Sequence, residues 1–214
     1  MDDTKASTSD WRAELPANAF DKVDDSDDLA FYAPPRLVSH IDDAAVAALT
    51  AYYARIMPAQ AVVLDLMSSW ISHLPATPAT AEVIGHGMNA VELAANDRLD
   101  RWFVNDLNAT PILPLSDASI DVALCCVGVQ YLQQPVPVFA EVRRVLRAGG
   151  RFAVSYSNRC FPTKAVRIWR ALDIAGQAQL IRLYMERSGF GAVETEVLAD
   201  GSRGDPLVVV AGTK

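Results

Sequence analysis

The chain has 214 residues, 51% of them hydrophobic, and a formal net charge of −7 at pH 7. This length fits one globular domain with a substantial core, and no apolar run is long enough to span a membrane. Residues 1–28 hold nine acidic and three basic side chains, so they account for about −6 of the charge and leave the remainder close to neutral. A near-neutral domain excludes nucleic-acid binding by bulk electrostatics.

The acidic segment 1–28 contains few apolar residues, and we expect it to form a flexible arm ahead of a single domain at 29–214. Its polar start is unlike a signal or transit peptide. Cys125, Cys126 and Cys160 cannot all pair and lack metal-ligand spacing. We therefore expect no metal site, reduced thiols and a cytoplasmic protein.

The predicted elements begin after the two prolines of 31–40, which favour an extended segment. Helical periodicity over 41–56 predicts a first helix. Strands are predicted at 61–66, 82–85, 101–104, 120–127, 151–157, 191–198 and 207–211, and further helices at 89–95, 136–146, 163–173 and 177–188. This alternation predicts a mostly parallel sheet with helices on both faces. The last two strands have only a tight turn between them, so they must pair as an antiparallel hairpin.

The stretch 61–70 reads A-V-V-L-D-L-M-S-S-W, in which a buried strand stops at Asp65 and the chain then turns. Ligands of parallel α/β sheets bind where the strands end. A carboxylate at this point can hold the hydroxyls or the amine of a nucleotide-like ligand. The loop lacks the glycines that allow backbone to approach such a ligand closely. Asp65 is also consistent with a simple helix cap, so the pattern indicates the type of site rather than its ligand.

Two stretches in the second half carry a family resemblance. L-P-L-S-D-A-S-I-D-V-A-L-C-C-V-G-V-Q-Y-L (113–132) resembles the motif "LPF-x-D-x-S-F-D-x-V". E-V-R-R-V-L-R-A-G-G-R-F-A-V-S (141–155) resembles "E-x-x-R-V-L-K-P-G-G-x-L". Both belong to class I S-adenosylmethionine-dependent methyltransferases, in the type 11-like subgroup related to the ubiquinone-biosynthesis enzymes. The resemblance covers about 40–212. It implies a Rossmann-like α/β fold with a seven-stranded, mostly parallel sheet and an antiparallel C-terminal hairpin.

The first half departs from the pattern of this family. Asp65 is present, but the family's D-x-G-x-G-x-G loop is degenerate here. The family also has an acid at the end of its second strand that binds the ribose hydroxyls. That place falls at about Gly87, and His86 or Asn89 is a candidate substitute by hydrogen bonding.

The resemblance implies S-adenosylmethionine as the cofactor. The candidate cofactor-binding residues are Asp65, Met67, Ser68, Ser69, Gly85, Gly87, Met88, Asn89, Asp106, Leu107, Cys126 and Val127. By resemblance, Asp65 anchors the amino-acid part of the cofactor, and Asp106 accepts a hydrogen bond from the adenine amino group while the amide of Leu107 meets the ring. Structural roles stay open, with Asp106 as a loop cap and Met88 as a core residue.

The candidate catalytic residues are His40 and Tyr131. A histidine titrates near neutral pH, which suits a general base, although His40 is also placed to cap the following helix and Tyr131 is consistent with packing. Tyr32, Gln130 and Arg159 are candidate substrate contacts. Arg159 suits an anionic substrate or a surface turn.

These observations predict an S-adenosylmethionine-dependent methyltransferase that acts on a small-molecule acceptor, without nucleic-acid or membrane partners. The alternative, motivated by the degenerate loop, is a methyltransferase-like binding or regulatory protein that has lost its chemistry. A nicotinamide-dependent oxidoreductase is disfavoured because no G-x-G-x-x-G follows the first strand. The acceptor and the oligomeric state are not predicted.

Overall fold

The computed structural model describes residues 11–214. The strands are β1 (Val62–Leu66), β2 (Glu82–Gly87), β3 (Arg101–Val104), β4 (Ile120–Cys126), β5 (Leu146–Tyr156), β6 (Gly191–Ala199) and β7 (Leu207–Thr213). The helices are α1 (Asp28–Tyr32), α2 (Asp43–Ile56), α3 (Ala90–Ala95), α4 (Pro135–Val145), α5 (Arg167–Ala171) and α6 (Ile174–Arg187), with 3-10 turns at Trp11–Glu14 and Val129–Tyr131. The predicted elements are present, with shifted ends.

The strands form one seven-stranded sheet in the order β3-β2-β1-β4-β5-β7-β6. Strands β1 to β5 pair in parallel, whereas β7 runs antiparallel to both β5 and β6. This arrangement confirms the predicted fold, including the C-terminal hairpin. The chain order reverses between β1 and β4, and such a switch point is where parallel α/β sheets bind ligands.

The side chains of β1 alternate between two cores, because successive strand residues point to opposite faces. Val63 packs in one cluster with Leu49 of α2. Leu64 packs in a second cluster, which contains Phe139 of α4 and Ile181 of α6. Helices therefore cover both faces of the sheet, as predicted.

The connection from β1 to β2 differs from the usual crossover. Parallel strands are normally joined through a helix, but residues 67–81 contain no helix in the structure. The carboxyl end of β1 is therefore followed by an irregular loop rather than by a helix N-terminus.

Residues 11–28, the part of the acidic segment that the structure describes, pack against the rest of the domain. The ring of Trp11 meets Phe20 at 5.5 Å and Tyr184 at 5.9 Å, edge to face. Asp28 is buried and paired with Lys22. Residues 11–28 thus differ from the expected flexible arm, because a few apolar anchors outweigh the polar composition. Residues 1–10 of that arm lie outside the described residues.

Over residues 11–214, no helix has the length and apolar character needed to cross a lipid bilayer.

Candidate functional site

A cavity of about 520 Å³ opens at the carboxyl ends of β1, β2 and β4. The segment between α1 and α2 lines it from the opposite side. The predicted site residues that line it are Tyr32, His40, Asp65, Met67, Ser68, Ser69, Gly87, Met88, Asn89, Asp106, Leu107, Cys126, Val127, Tyr131 and Arg159. The fold thus brings residues from distant parts of the chain to one concave surface at the switch point.

Two predicted site residues lie outside this cavity wall. Gly85 sits within β2, where a Cβ would overlap the side chain of Leu99, so this glycine serves packing. Gln130 is 1% exposed, and its Nε2 donates to the carbonyl of Val127 at 2.7 Å. Gln130 therefore holds the turn after β4 rather than facing a ligand.

Asp65 is 7% exposed and lies at the cavity. Its Oδ2 accepts hydrogen bonds from the hydroxyls of Ser68 at 2.7 Å and Ser72 at 2.5 Å. Burial raises the pKa of Asp65, and these two hydrogen bonds partly offset that rise. Because both hydroxyls use Oδ2, Oδ1 has no hydrogen-bond donor among the described residues and is left for a ligand.

The loop after β1 lies along the end of β2. The amide of Ser68 donates to the carbonyl of His86 at 2.6 Å, and the amide of Met67 donates to Nδ1 of His86 at 3.1 Å. Met67 has a φ of 58° at this turn. The indole Nε1 of Trp70 donates to the carbonyl of Val38 at 3.0 Å, away from the cavity wall. The loop that replaces the glycines therefore leaves the cavity open.

Position 87 has no room for a carboxylate. A Cβ built on Gly87 would overlap the backbone carbonyl oxygen of Ser68. The backbone of the loop after β1 therefore occupies the space that a side chain at position 87 would need.

The two residues predicted to replace that acid, His86 and Asn89, make hydrogen bonds to other parts of the protein. His86 is 1% exposed, and burial lowers its pKa to about 4. Its neutral ring accepts from Met67 and donates through Nε2 to the carbonyl of Asn105 at 3.0 Å. Asn89 caps α3 with Oδ1 and donates through Nδ2 to the carbonyls of Tyr32 and Ala33. Neither residue has a side-chain group left for a ribose.

Residues after β3 and at the end of β4 also line the cavity, on either side of β2 and β1. Oδ1 of Asp106 accepts from the amide of Asn108 at 2.8 Å, so this residue does act as a loop cap, while Oδ2 has no partner among the described residues. Val127 adopts a φ of 44° where the chain leaves β4. Burial raises the pKa of Cys126 to about 12, so its thiol stays protonated.

Aromatic rings line the outer part of the cavity. The ring of Tyr131 stacks on Phe161 at 6.0 Å, and Tyr32 lies 6.4 Å from Tyr131 and 6.2 Å from Phe161. The amide of Phe161 donates to the hydroxyl of Tyr131 at 2.8 Å. The guanidinium of Arg36 lies 5.2 Å from the ring of Phe161. Tyr131 therefore has the packing role left open by the sequence, while it also borders the cavity.

His40 and His73 both line the cavity. Burial lowers the pKa of His40, against the opposing charge of Glu92. Burial also lowers the pKa of His73, and the proximity of His40 adds to that effect. The buried Nδ1 of His73 has no hydrogen-bond partner in the structure. Both imidazoles are therefore neutral near pH 7 and able to accept a proton.

Arg159 lines the cavity but is not a free cation. Its Nε donates to Asp205 at 2.8 Å, and the charge of Arg159 lowers the pKa of Asp42 after three hydrogen bonds from backbone amides have done so more strongly. The ion pair with Asp205 thus occupies this side chain, which weakens its predicted role in binding an anion.

Several residues at the cavity escaped the sequence analysis. These are Arg36, Tyr53, Glu92, Asn108 and Phe161, whereas His73 was a weaker candidate for a general base than His40. An acid in the first turn of a helix, such as Glu92, already has a local explanation through the helix dipole. Nothing in the sequence links Phe161 to Tyr131, because their contact arises only in the folded chain.

The comparisons with known proteins agree with this geometry. Residues 46–154, about half of the chain, match the family model described as a methyltransferase domain. The chain therefore belongs to the methyltransferase domain family, as the resemblance implied. This membership indicates S-adenosylmethionine as the cofactor.

One curated relative is malonyl-[acyl-carrier protein] O-methyltransferase from Hahella chejuensis. It is 33% identical over 94 residues, which are 41% of this chain and 33% of that protein. The match thus spans about a third of the length of that relative.

Several solved structures share the fold. The S-adenosylmethionine-dependent methyltransferase from Mesorhizobium loti has a TM-score of 0.56 at 16% identity, covering 78% of this chain and 98% of that chain. The [4+2]-cyclase SpnF has a TM-score of 0.60 at 15% identity, with 87% and 90% covered. Phosphoethanolamine N-methyltransferase 2 from Haemonchus contortus, solved with S-adenosyl-L-methionine, has a TM-score of 0.52 at 13% identity, with 78% and 51% covered.

Proposed function

We propose that this protein transfers a methyl group from S-adenosylmethionine to a small-molecule acceptor. One observation carries the proposal: Asp65, Asp106, Leu107 and Val127, which match cofactor positions of the family, line one cavity of about 520 Å³ despite the missing glycines. This volume is typical of small-molecule and cofactor sites.

The cavity residues fit most of this cofactor. Oδ1 of Asp65 is free to accept from the ammonium group of its amino-acid part, and Oδ2 of Asp106 is free to accept from the adenine amino group. Leu107 is buried beside Asp106 and offers an apolar wall for the base. The cofactor supplies a methyl group on a sulfonium, so the protein mainly has to bind, orient and exclude water.

We assign His40 as the group that takes up a proton from the acceptor. It lines the cavity, and burial keeps it neutral near pH 7. A general base of this kind serves an acceptor that must lose a proton, such as an amine, a thiol or a phenol. The rings of Tyr32 and Phe161 beside it suit a small apolar or aromatic acceptor.

Calorimetric titration with S-adenosylhomocysteine tests the proposal. We expect the wild type to bind and Asp65→Ala to bind on the order of tenfold more weakly, because a charged hydrogen bond is lost. Asp97→Asn is the matched control, since it removes an acidic side chain that is exposed and outside the cavity. No binding heat from the wild type at millimolar ligand would contradict the proposal.

A binding or regulatory protein without chemistry is the second candidate. The hydrogen bonds that hold the loop after β1 against β2 favour this second candidate, because that loop departs most from the family pattern. The two functions differ in one outcome. Tight binding of S-adenosylmethionine without methyl transfer across a panel of amines, thiols and phenols would favour the second candidate.

A further inference from the structure

The sheet order determines where the ribose of a bound cofactor must lie. Asp106 follows β3 and Asp65 ends β1, and β2 runs between these two strands. A nucleoside with its base near Asp106 and its amino-acid part near Asp65 therefore passes its sugar over the end of β2, where α3 begins. No carboxylate stands at Gly87 to receive the sugar hydroxyls, and His86 and Asn89 are committed to the backbone.

A different carboxylate stands at this crossing point. Glu92, in the first turn of α3, lines the same cavity. Its Oε2 accepts from the hydroxyl of Ser69 at 2.5 Å, and its Oε1 accepts from the amide of Arg36 at 2.6 Å. Glu92 thus joins the loop after β1 to the segment that covers the cavity.

The chemistry of Glu92 leaves it able to bind two more donors. A carboxylate oxygen accepts about two hydrogen bonds, so Oε1 and Oε2 each retain one acceptor site. Both present partners are neutral, and among the described residues no Lys, Arg or His lies within salt-bridge distance of Glu92. A charged acceptor makes stronger hydrogen bonds than a neutral one. Two fixed, adjacent acceptors match the two hydroxyls of a vicinal diol.

We infer that Glu92 binds the ribose hydroxyls of the cofactor, in place of the acid that the end of β2 has lost. The inference rests on the proposed function, because it assigns a contact to the same cofactor. It makes Glu92 a specificity residue, which distinguishes ribonucleosides from nucleosides without the diol.

Titration with adenosine and with 2′,3′-dideoxyadenosine tests the inference, because the two differ only in the hydroxyls. Binding is followed by calorimetry or by nuclear magnetic resonance, without any turnover. We expect the wild type to prefer adenosine by on the order of tenfold, since two hydrogen bonds to a charged group are at stake.

Glu92→Gln should reduce that preference to less than about threefold, because a neutral amide replaces the charged acceptor. It keeps an oxygen for one of the two present donors. Asp97→Asn, on the same side of the fold but outside the cavity, should retain the wild-type ratio. Melting temperatures of the three proteins show whether each is folded, and the affinity ratio is independent of a uniform loss of binding.

Equal wild-type affinity for the two nucleosides, or an unchanged preference in Glu92→Gln, would overturn the inference. If S-adenosylhomocysteine still binds in that case, the proposed function stands and only the assignment of Glu92 fails. If no adenosyl compound binds at millimolar concentration, the proposed function fails as well.

Discussion

The segments that lead into β4 and β5 resemble the family closely, whereas the carboxyl ends of β1 and β2, here called the rebuilt side, depart from its pattern. The family motifs of the first side lie within 113–132 and 141–155. On the second side, the backbone of Ser68 occupies the space beside Gly87 and its amide pairs with His86. The comparison shows that, with the loop in this position, no side chain fits at position 87.

The two sides also use different contacts to hold residues 26–38, which include α1 and part of the segment over the cavity. On the β2 side, Trp70 donates to the carbonyl of Val38 and Asn89 donates to the carbonyl of Tyr32, which are neutral hydrogen bonds. Beyond β5, the fully buried Lys164 lies 3.1 Å from Asp28 and donates to the carbonyl of Ser26 at 2.7 Å. The β2 side therefore uses hydrogen bonds, one of them to the carboxylate of Glu92, whereas the other side uses a buried ion pair.

The largest effect should come from the buried charge. Lys164→Met leaves Asp28 with Lys22 and Asn108 but removes one buried cation. We expect the free energy of unfolding to fall by about 3 kcal/mol, because breaking a buried pair leaves a charge partly uncompensated. Arg167→Met, at an exposed position nearby, should change it by less than about 0.5 kcal/mol. Urea unfolding measures both, and a loss under about 1 kcal/mol for Lys164→Met would remove the contrast between the two sides.

On the rebuilt side, the buried His86 should make the free energy of unfolding depend on pH. The pKa of His86 is about 4 in the folded protein, against an ordinary value of 6.5. Between these values the unfolded chain binds more protons, so stability falls as the pH falls from about 6.5 to 4 and levels off below. His86 alone should contribute about 2 kcal/mol between pH 7 and pH 4.5.

Unfolding at several pH values separates this contribution from others. His86→Gln should be less stable at pH 7, because the amide of Met67 loses its acceptor, yet it should lose less stability on acidification. His73→Gln, at a less buried position, serves as the comparison. An unchanged pH slope in His86→Gln would mean that His86 is not buried in its neutral form.

The smallest of the three effects concerns the coupling between the two rebuilt parts. Gly87→Ala places a Cβ against the carbonyl of Ser68, so the loop must shift. We expect a loss of at least about 1 kcal/mol, because the added Cβ meets a backbone oxygen rather than the end of a flexible side chain. Gly191→Ala, where a Cβ meets little, should be near neutral. If Gly87→Ala does not lower the stability measured by thermal unfolding, the loop and β2 do not depend on the close contact between Gly87 and Ser68.

Much of the fold was predictable from local signals. Apolar runs placed the strands. Asp65 was predictable as a cavity residue because it lies at the carboxyl end of the first strand, and Asp106 because it matches a cofactor position of the family. The packing of Trp11 and Phe20 was not predictable. The acidic segment is polar in its overall composition, which conceals the few apolar residues that pack.

The rebuilt side of the cavity was the hardest part to predict. The clash at position 87 depends on the course of a loop that has no periodic pattern, and the sequence places Ser68 nineteen residues away. Glu92 was not predicted as a site residue, because an acid in the first turn of a helix is already explained by the helix dipole. Both features exist only once distant segments meet at the sheet edge.

A crystal structure of the protein soaked with S-adenosylhomocysteine tests the account most directly. We predict the adenine beside Asp106 and Leu107, the amino-acid part at Asp65, and the ribose hydroxyls within hydrogen-bond distance of Glu92. An empty cavity at millimolar ligand, or a ligand bound outside this cavity, would contradict the account.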